Sequence, residues 1–328
     1  MTRQLGFDKA IREALEEEMR ENERVFIMGQ NLHSSVSGVT DGMYNEFGLE
    51  RVLETPISEN GYCGIAVGAS LMGYRPIVEI KYSDFTLNVA DSIGNQASKY
   101  RYMSGGGDFK VPLVIRVCGS GIDNGGDVHT SHSLEAIFSI FPGLKIISPS
   151  TPYDAKGLLK SAIRDENPIL FFEHQMVSAT TGEVPEETYT IPIGKAVVKK
   201  HGNDVTIVSF SYGLIKSLIA SKNLSDEGID VEVIDLRTIK PLDLETIINS
   251  IKKTNKLIIV EEGYKTNGVG AEVSALVAEY GLEFLNGPIK RVACKDIPIP
   301  AGKYGEKYVV PSVEEICDVV KQLVHGGI

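Results

Sequence analysis

Short apolar runs alternate along the chain with longer stretches in which apolar residues recur every three or four positions. From Leu5 to Arg20, the residues Phe7, Ile11, Leu15 and Met19 line one face against a side rich in Glu and Arg, which predicts a surface helix. Val25–Met28 is an apolar run closed by Gly29, as a buried strand reads. A strand-like Arg51–Leu53 then precedes a small-residue segment from Cys63 to Gly73. After it the pattern predicts strands at Pro76–Ile80, Val111–Val117, Leu144–Ile147 and Pro168–Phe172. Helices are predicted at Asp84–Tyr102, Ser133–Phe138 and Asp154–Arg164. Strands alternating with helices of this length predict an α/β fold with a parallel, doubly wound sheet.

Between His174 and Thr190 the composition turns to Ser, Thr, Gly, Glu and Pro, so residues 175–190 are predicted to link a first domain, 1–174, to a second, 191–328. The second domain repeats the alternation on a smaller scale. Strands are predicted at Val205–Val208, Val231–Ile234, Leu257–Val260 and Ile289–Val292. Helices are predicted to start at Gly213, Leu242, Val269 and Ser312, the last with the spacing of a capping box to Glu315. The fold class is therefore α/β with two doubly wound domains.

Charge and cysteine usage narrow the function. The net charge of -11 leaves no basic surplus for phosphates, which excludes a general nucleic-acid binder. No run is long enough to cross a bilayer, and the N-terminal residues lack a signal-peptide core. Cys63, Cys118, Cys294 and Cys317 are far apart and without metal spacing. They read as reduced, mostly buried thiols, and the expected compartment is the cytoplasm or an equivalent one.

The chain lacks a phosphate-cradling Gly-rich loop ending in Lys-Ser/Thr, and it has no Gly-x-Ser-x-Gly elbow. Candidate chemistry lies instead in loops after strands, where parallel sheets place their ligands. These hold the segment from Gln30 to Gly38, the stretch Glu54–Gly61 with Glu59 near a helix start, the aromatics Tyr62, Tyr82 and Phe85, and a Gly/Asp-rich loop with His129 and His132. A metal site at those histidines with Asp123 and Asp127 is the weaker reading against an ordinary turn. One carboxylate, aromatics and two histidines suit a flat heteroaromatic on which protons move.

The run Thr55-Pro56-Ile57-Ser58-Glu59 followed by Gly64-Ile65-Ala66-Val67-Gly68 resembles the pyrimidine-binding domain of thiamine-diphosphate enzymes of the 2-oxoacid dehydrogenase type. The likeness to their E1 beta subunits (pyruvate, branched-chain 2-oxoacid and acetoin dehydrogenases) continues through Arg101–Gly106, Tyr153–Leu158, Ile191–Lys195, Asp235–Thr238, Gly268–Glu272 and Asp296–Pro300. It implies a transketolase-like second domain and a decarboxylation of a 2-oxoacid with acyl transfer to a lipoyl carrier. It also implies that Glu59 hydrogen-bonds the aminopyrimidine of thiamine diphosphate, that Phe85 stacks on it, and that Gln30 and Ile57 lie beside it. The catalytic histidine is His129 or His132. The diphosphate and its Mg²⁺ fall to an alpha-type partner carrying Gly-Asp-Gly, in an α₂β₂ assembly with a possible lipoyl-bearing E2 core. Carbonyls at Ala162, Asp165 and Asn167 are implied ligands of a structural potassium ion, set against an ordinary helix end.

The chain departs from the family twice. Gly29-Gln30-Asn31 stands where an acid is usual, and Thr130-Ser131-His132 stands in place of His-Ser-Gln. These departures keep open the C-terminal half of a split transketolase, which transfers a two-carbon ketol unit. A non-catalytic scaffolding subunit is the third reading, opposed by the intact Glu59 and Phe85.

Overall fold

A computed structural model describes residues 2–35, 38–123 and 125–326. Its strands, in chain order, are β1 (Thr2–Gly6), β2 (Val25–Gly29), β3 (Val52–Glu54), β4 (Arg75–Lys81), β5 (Val114–Ser120), β6 (Lys145–Ile147) and β7 (Ile169–His174). They continue with β8 (Thr181–Pro185), β9 (Val197–Lys200), β10 (Val205–Ser209), β11 (Val231–Asp235), β12 (Thr238–Lys240), β13 (Leu257–Tyr264) and β14 (Lys290–Cys294). A seven-stranded sheet runs in the order β12-β6-β7-β5-β4-β2-β3, and a five-stranded sheet in the order β14-β13-β10-β11-β9. In the larger sheet every pairing from β6 across to β3 is parallel, and within these two sheets the described antiparallel pairings are those of the edges β12 and β9. The two-domain α/β expectation is met.

The apolar runs read from the sequence are the buried central strands: β2, β7, β10 and β11 are buried from end to end. Three buried charges of the larger sheet are matched to one another. Arg116 on β5 is fully buried, bonded to Glu79 on β4 at 2.9 Å and to both oxygens of Glu173 on β7 at 2.7 and 2.8 Å. A planar guanidinium suits such bidentate pairing, and without it the three buried charges would be costly.

Three stretches differ from the sequence reading. The first helix begins at Phe7, and Thr2–Gly6 is instead a strand that pairs antiparallel with β8. β8 lies inside the segment expected to be a loose linker, which also holds a short helix, Gln175–Ser178. The expected helix Asp84–Tyr102 is broken into a 3₁₀ segment Ser83–Val89, a π-helical turn Ser92–Ala97 and an α-helix Ser98–Met103. Within the π-helical turn, the Phe141 ring packs where a Cβ on Gly94 would stand.

The domains are joined through their cores. One apolar cluster runs from Ile80 on β4 and Phe138 of the first domain to Ile234 on β11, Leu236 after it and Ile259 on β13. The strand β12 follows β11 and pairs with β6, so a piece of the second domain completes the first domain's sheet. Ser312 caps the last helix, Val313–Val324, by accepting from the Glu315 N–H at 3.1 Å. Among the described residues no helix is long and apolar enough to cross a membrane.

Candidate functional site

Four strands of the larger sheet end at one edge, and the sequence-nominated residues gather there. Gln30 follows β2, Thr55 to Glu59 follow β3, Tyr82 to Phe85 follow β4, and the histidine loop follows β5. The N–H of Thr55 donates to the carbonyl of Gly29 at 2.8 Å and ties the first two of these loops together. Gln30 is 7% exposed, and its Oε1 is buried without a hydrogen-bond partner among the described residues. It lines a cavity of about 310 Å³ with Asp8, Lys81, Tyr82, Cys118 and Gln175. Burial raises the Asp8 carboxyl above its usual range. Burial also works against the Lys81 ammonium, yet the Glu79 carboxylate beside it holds its pKa above the ordinary value. The cavity therefore offers hydrogen-bonding groups above a charge network that is already neutralised from below.

Glu59 opens the helix Glu59–Leu71, whose cap residue Ser58 makes no side-chain cap. It is half-buried, and its carboxylate has neither an ion-pair nor a hydrogen-bond partner among the described residues. A carboxylate in the first turn is favoured by the helix dipole. Behind it, Tyr62, Cys63, Ala66 and Val67 pack into the core. Burial pushes the Cys63 thiol up to about 12, which makes it a packing group and not a nucleophile. The opposite side is bare. A Cβ on Gly64 or Gly68 would meet nothing within 4 Å, and Ile57 and Ile65 are 74% and 60% exposed. The small residues thus offer close approach to something outside this chain.

Tyr82 adopts φ +69°, an uncommon conformation for an aromatic residue, with its N–H held by the Cys118 carbonyl at 2.9 Å. Its ring meets the partly exposed Phe85 ring edge-on, with centroids 5.9 Å apart. Between them in sequence, Asp84 reaches across to the histidine loop. Its Oδ1 lies 2.6 Å from His132 Nδ1, and its Oδ2 accepts from the His132 N–H at 3.2 Å. The His132 ring also faces Tyr264 of the second domain at 6.0 Å. His129 is exposed, and its ring has no hydrogen-bond partner among the described residues. Asp84 went unnoticed in the sequence because nothing local pairs it with a histidine that lies beyond an intervening strand and loop; its one signal is adjacency to Phe85.

Ala162, Asp165 and Asn167 do not join this cluster. Ala162 lies in the last turn of the helix Pro152–Arg164, and Asp165 and Asn167 follow it and precede β7, at the opposite end of the strands from Glu59. The turn is already served by cations: Arg75 Nη1 bonds the carbonyls of Ile163 and Asp165 at 2.8 and 3.0 Å, and Lys145 pairs with the Asp165 carboxylate at 2.5 Å. Burial would raise the Asp165 carboxyl, but Lys145 and Asn167 outweigh it and hold it below its usual range. Among the described residues no group of His, Cys, Asp or Glu is placed to hold a metal ion, and His129 and His132 with Asp123 and Asp127 form none.

Comparison with known proteins places the chain in a family. The transketolase pyrimidine-binding domain family matches residues 3–179, and the transketolase C-terminal domain family matches residues 194–316. The pyruvate dehydrogenase E1 component subunit beta of Rhizobium meliloti is 43% identical over 97% of this chain and 69% of its own length. The 2-oxoisovalerate dehydrogenase subunit beta of Bacillus subtilis is 41% identical over 97% of this chain and 98% of its own. From the same organism, the acetoin:2,6-dichlorophenolindophenol oxidoreductase subunit beta is 40% identical over 99% and 98%. A solved split-gene transketolase, described as an inactive beta4 tetramer, superposes with a TM-score of 0.78 over 98% of both chains. Its 21% identity shows a shared fold alone. The chain belongs to the family of E1 beta subunits of thiamine-diphosphate-dependent 2-oxoacid dehydrogenases.

Proposed function

We propose that the chain, divided near residues 175–190, is the beta subunit of an enzyme that decarboxylates a 2-oxoacid on thiamine diphosphate and passes the acyl group to a lipoyl carrier. An alpha-type partner would complete the site in an α₂β₂ assembly, with beta–beta contact through the second domain. The observation that carries this reading is the unpartnered Glu59 carboxylate, set at a helix start beside a bare small-residue face. Orphaned polar atoms at Gln30 Oε1 and Thr55 Oγ1 at the same strand ends fit a hydrogen-bonding heteroaromatic ring.

When bound, thiamine diphosphate supplies a carbon nucleophile for the ketone carbonyl. This chain's own residues bind and orient the ring and handle protons. Glu59 holds a proton against a pyrimidine ring nitrogen, Phe85 stacks on the ring, and Gln30 and Ile57 border it. Gln30 accepts and donates hydrogen bonds but exchanges no proton. His132, fixed by Asp84, or His129, with its exposed ring, serves the substrate carbonyl. The Mg²⁺ and the diphosphate are assigned to the partner chain. For a structural potassium ion, the carbonyls of Ala162, Asp165 and Asn167 are the proposed ligands. It would share the Asp165 oxygen with Arg75, whose guanidinium already brings positive charge to that turn.

One observation favours a second reading, ketol transfer by a split transketolase: the uncharged Gln30 where relatives of the E1 type are expected to carry an acid. Thiamine-dependent release of CO₂ from pyruvate and branched 2-oxoacids by the co-purified complex tests the first reading. Transfer of a two-carbon unit between sugar phosphates without CO₂ release would establish the second instead.

A further inference from the structure

The loop between β5 and the helix Glu135–Ser139 carries both histidines, yet much of what fixes it comes from the second domain. The N–H of Ile122 donates to Glu262 Oε1 at 2.8 Å, and the same oxygen lies 2.8 Å from His174 Nε2. Burial would raise the Glu262 carboxyl, but His174, Lys216 and the Ile122 N–H outweigh it and keep it below its ordinary range. The Ile122 side chain seats among Cys294, Ile299, Val309 and Val310. Gly126 is then gripped from both sides. Its N–H donates to Glu306 Oε1 at 2.9 Å, and its carbonyl accepts from the Gly302 N–H at 3.2 Å. The first domain holds the loop's two ends, where the Gly121 N–H meets the His132 carbonyl at 3.2 Å and Asp84 holds His132, while Gln175 Nε2 of the connecting segment meets the Gly121 and Thr130 carbonyls at 3.0 and 3.3 Å.

Glu306 sits on the helix Lys303–Val309 and is fully buried. Among the described residues its side chain bonds Gly126 alone, and Oε2 has no partner there. A carboxylate buried with so little return is expensive, and an apolar residue would serve the helix better. Nor is Gly126 an arbitrary anchor: a Cβ there would run into Ser131 Oγ and Asp123 Oδ1. Beyond the anchor the chain turns through Thr130, whose N–H donates to the Asp127 carbonyl at 3.1 Å, and His129 stands on that turn.

We propose that Glu306 is a positioning residue for the histidine loop. Its carboxylate fixes Gly126 and thereby the stance of the segment Asp127–His132 at the cleft, so the handling of the substrate carbonyl depends on a second-domain side chain remote from the strand ends that form the cleft. This rests on the reading of that loop as the one that serves the carbonyl. Displacement of an acid–base group by a fraction of an ångström to one ångström is enough to cost turnover heavily.

The test uses the full-length beta chain and its complex with the co-purifying alpha chain. Glu306→Ala is expected to lower kcat for 2-oxoacid decarboxylation by about tenfold or more, with exchange of the thiamine C2 proton, which reads Glu59, left close to wild type. Glu306→Gln keeps an acceptor oxygen for Gly126 and should restore most of the turnover. In the beta chain alone, amide exchange over residues 122–130 should accelerate in the Ala variant and not in the Gln variant, with β13 unchanged. Turnover or amide exchange of the Ala variant equal to wild type overturns the proposal, as does loss of C2 exchange in step with turnover. Absence of C2 exchange from the wild-type complex would instead remove the thiamine reading, while amide exchange would still decide whether Glu306 holds the loop.

Discussion

Glu59 and the two histidines carry most of the chemistry, and each makes a separate claim. Gln at position 59 keeps the size of the side chain and one acceptor oxygen but has no carboxyl proton to share. Because the Glu59 carboxylate has no hydrogen-bond or ion-pair partner among the described residues, Glu59→Gln should fold and assemble normally. Exchange of the thiamine C2 proton in the complex should slow by roughly a hundredfold or more. If Glu59 served only the helix dipole, the change would cost at most about 1 kcal/mol of stability and leave exchange untouched. For the histidines the structure separates two roles. His132 is held at both its ring and its N–H by Asp84, whereas the exposed His129 ring has no hydrogen-bond partner among the described residues. Replacing each by Ala should give turnover losses that differ by at least about tenfold. If His132 is the acid–base group, Asp84→Asn should reproduce part of its loss by releasing the ring. If His129 is, Asp84→Asn should leave kcat nearly unchanged. Steady-state kinetics of the three variants decides between them, and equal small effects would exclude both histidines.

At the scale of elements, the buried parallel strands were legible because β2, β4, β5 and β7 bury both faces and so read as continuous apolar runs. The edges were not. β8 alternates exposed and partly buried residues among Thr, Gly and Glu, so its pairing with β1 leaves no apolar run to find. β12 is three residues long and joins a sheet whose other strands belong to the first domain. Glu59, Phe85 and the histidine loop were readable by resemblance, but the Asp84–His132 pair and the grip of Glu262 and Glu306 depend on long-range contacts. The segment leading into β12 also stores a pH dependence. Burial raises the Asp235 carboxyl to about 7, and the neighbouring Asp154 adds to it against Lys199 and Arg237. A folded-state pKa above the unfolded value near 3.9 means that the folded chain binds the proton more tightly. Its contribution is therefore full below about pH 4 and is lost as pH rises to about 7. Asp235→Asn removes that titration while keeping an Oδ1 that accepts from Ser150 Oγ and the Arg237 N–H. Between pH 5 and 7 the variant should gain stability relative to wild type by no more than about 1.4 kcal/mol per pH unit. Urea midpoints across that range would show it, and a difference independent of pH would rule it out.

For the molecule as a whole, the surface asks for a partner before the chemistry does. On the helix Glu59–Leu71 and the residue after it, Gly61, Gly64, Ile65, Gly68 and Met72 form one stripe at helical spacing, all exposed. Ile57 and Leu87, 74% and 53% exposed, stand at the same end of the sheet. An apolar stripe beside an unpartnered carboxylate is the profile of half a site. On the proposed reading the diphosphate contacts fall to the partner chain. Expressed alone, the chain should dimerise through its second domain and bind thiamine diphosphate poorly. Added alpha chain should convert it to an α₂β₂ complex that binds the cofactor tightly. Ile65→Lys separates this stripe from fold stability. An exposed side chain away from the core changes stability by only about 0.5 kcal/mol, whereas a lysine buried against a flat partner face leaves an unpaired charge. The variant should therefore melt with the wild type, keep the beta dimer, and fail to recruit the alpha chain. Analytical ultracentrifugation of the two mixtures, with cofactor binding by calorimetry, distinguishes the outcomes. Micromolar cofactor binding by the isolated wild-type chain would mean that the site is complete without a partner, and full assembly of Ile65→Lys would mean that the partner docks elsewhere.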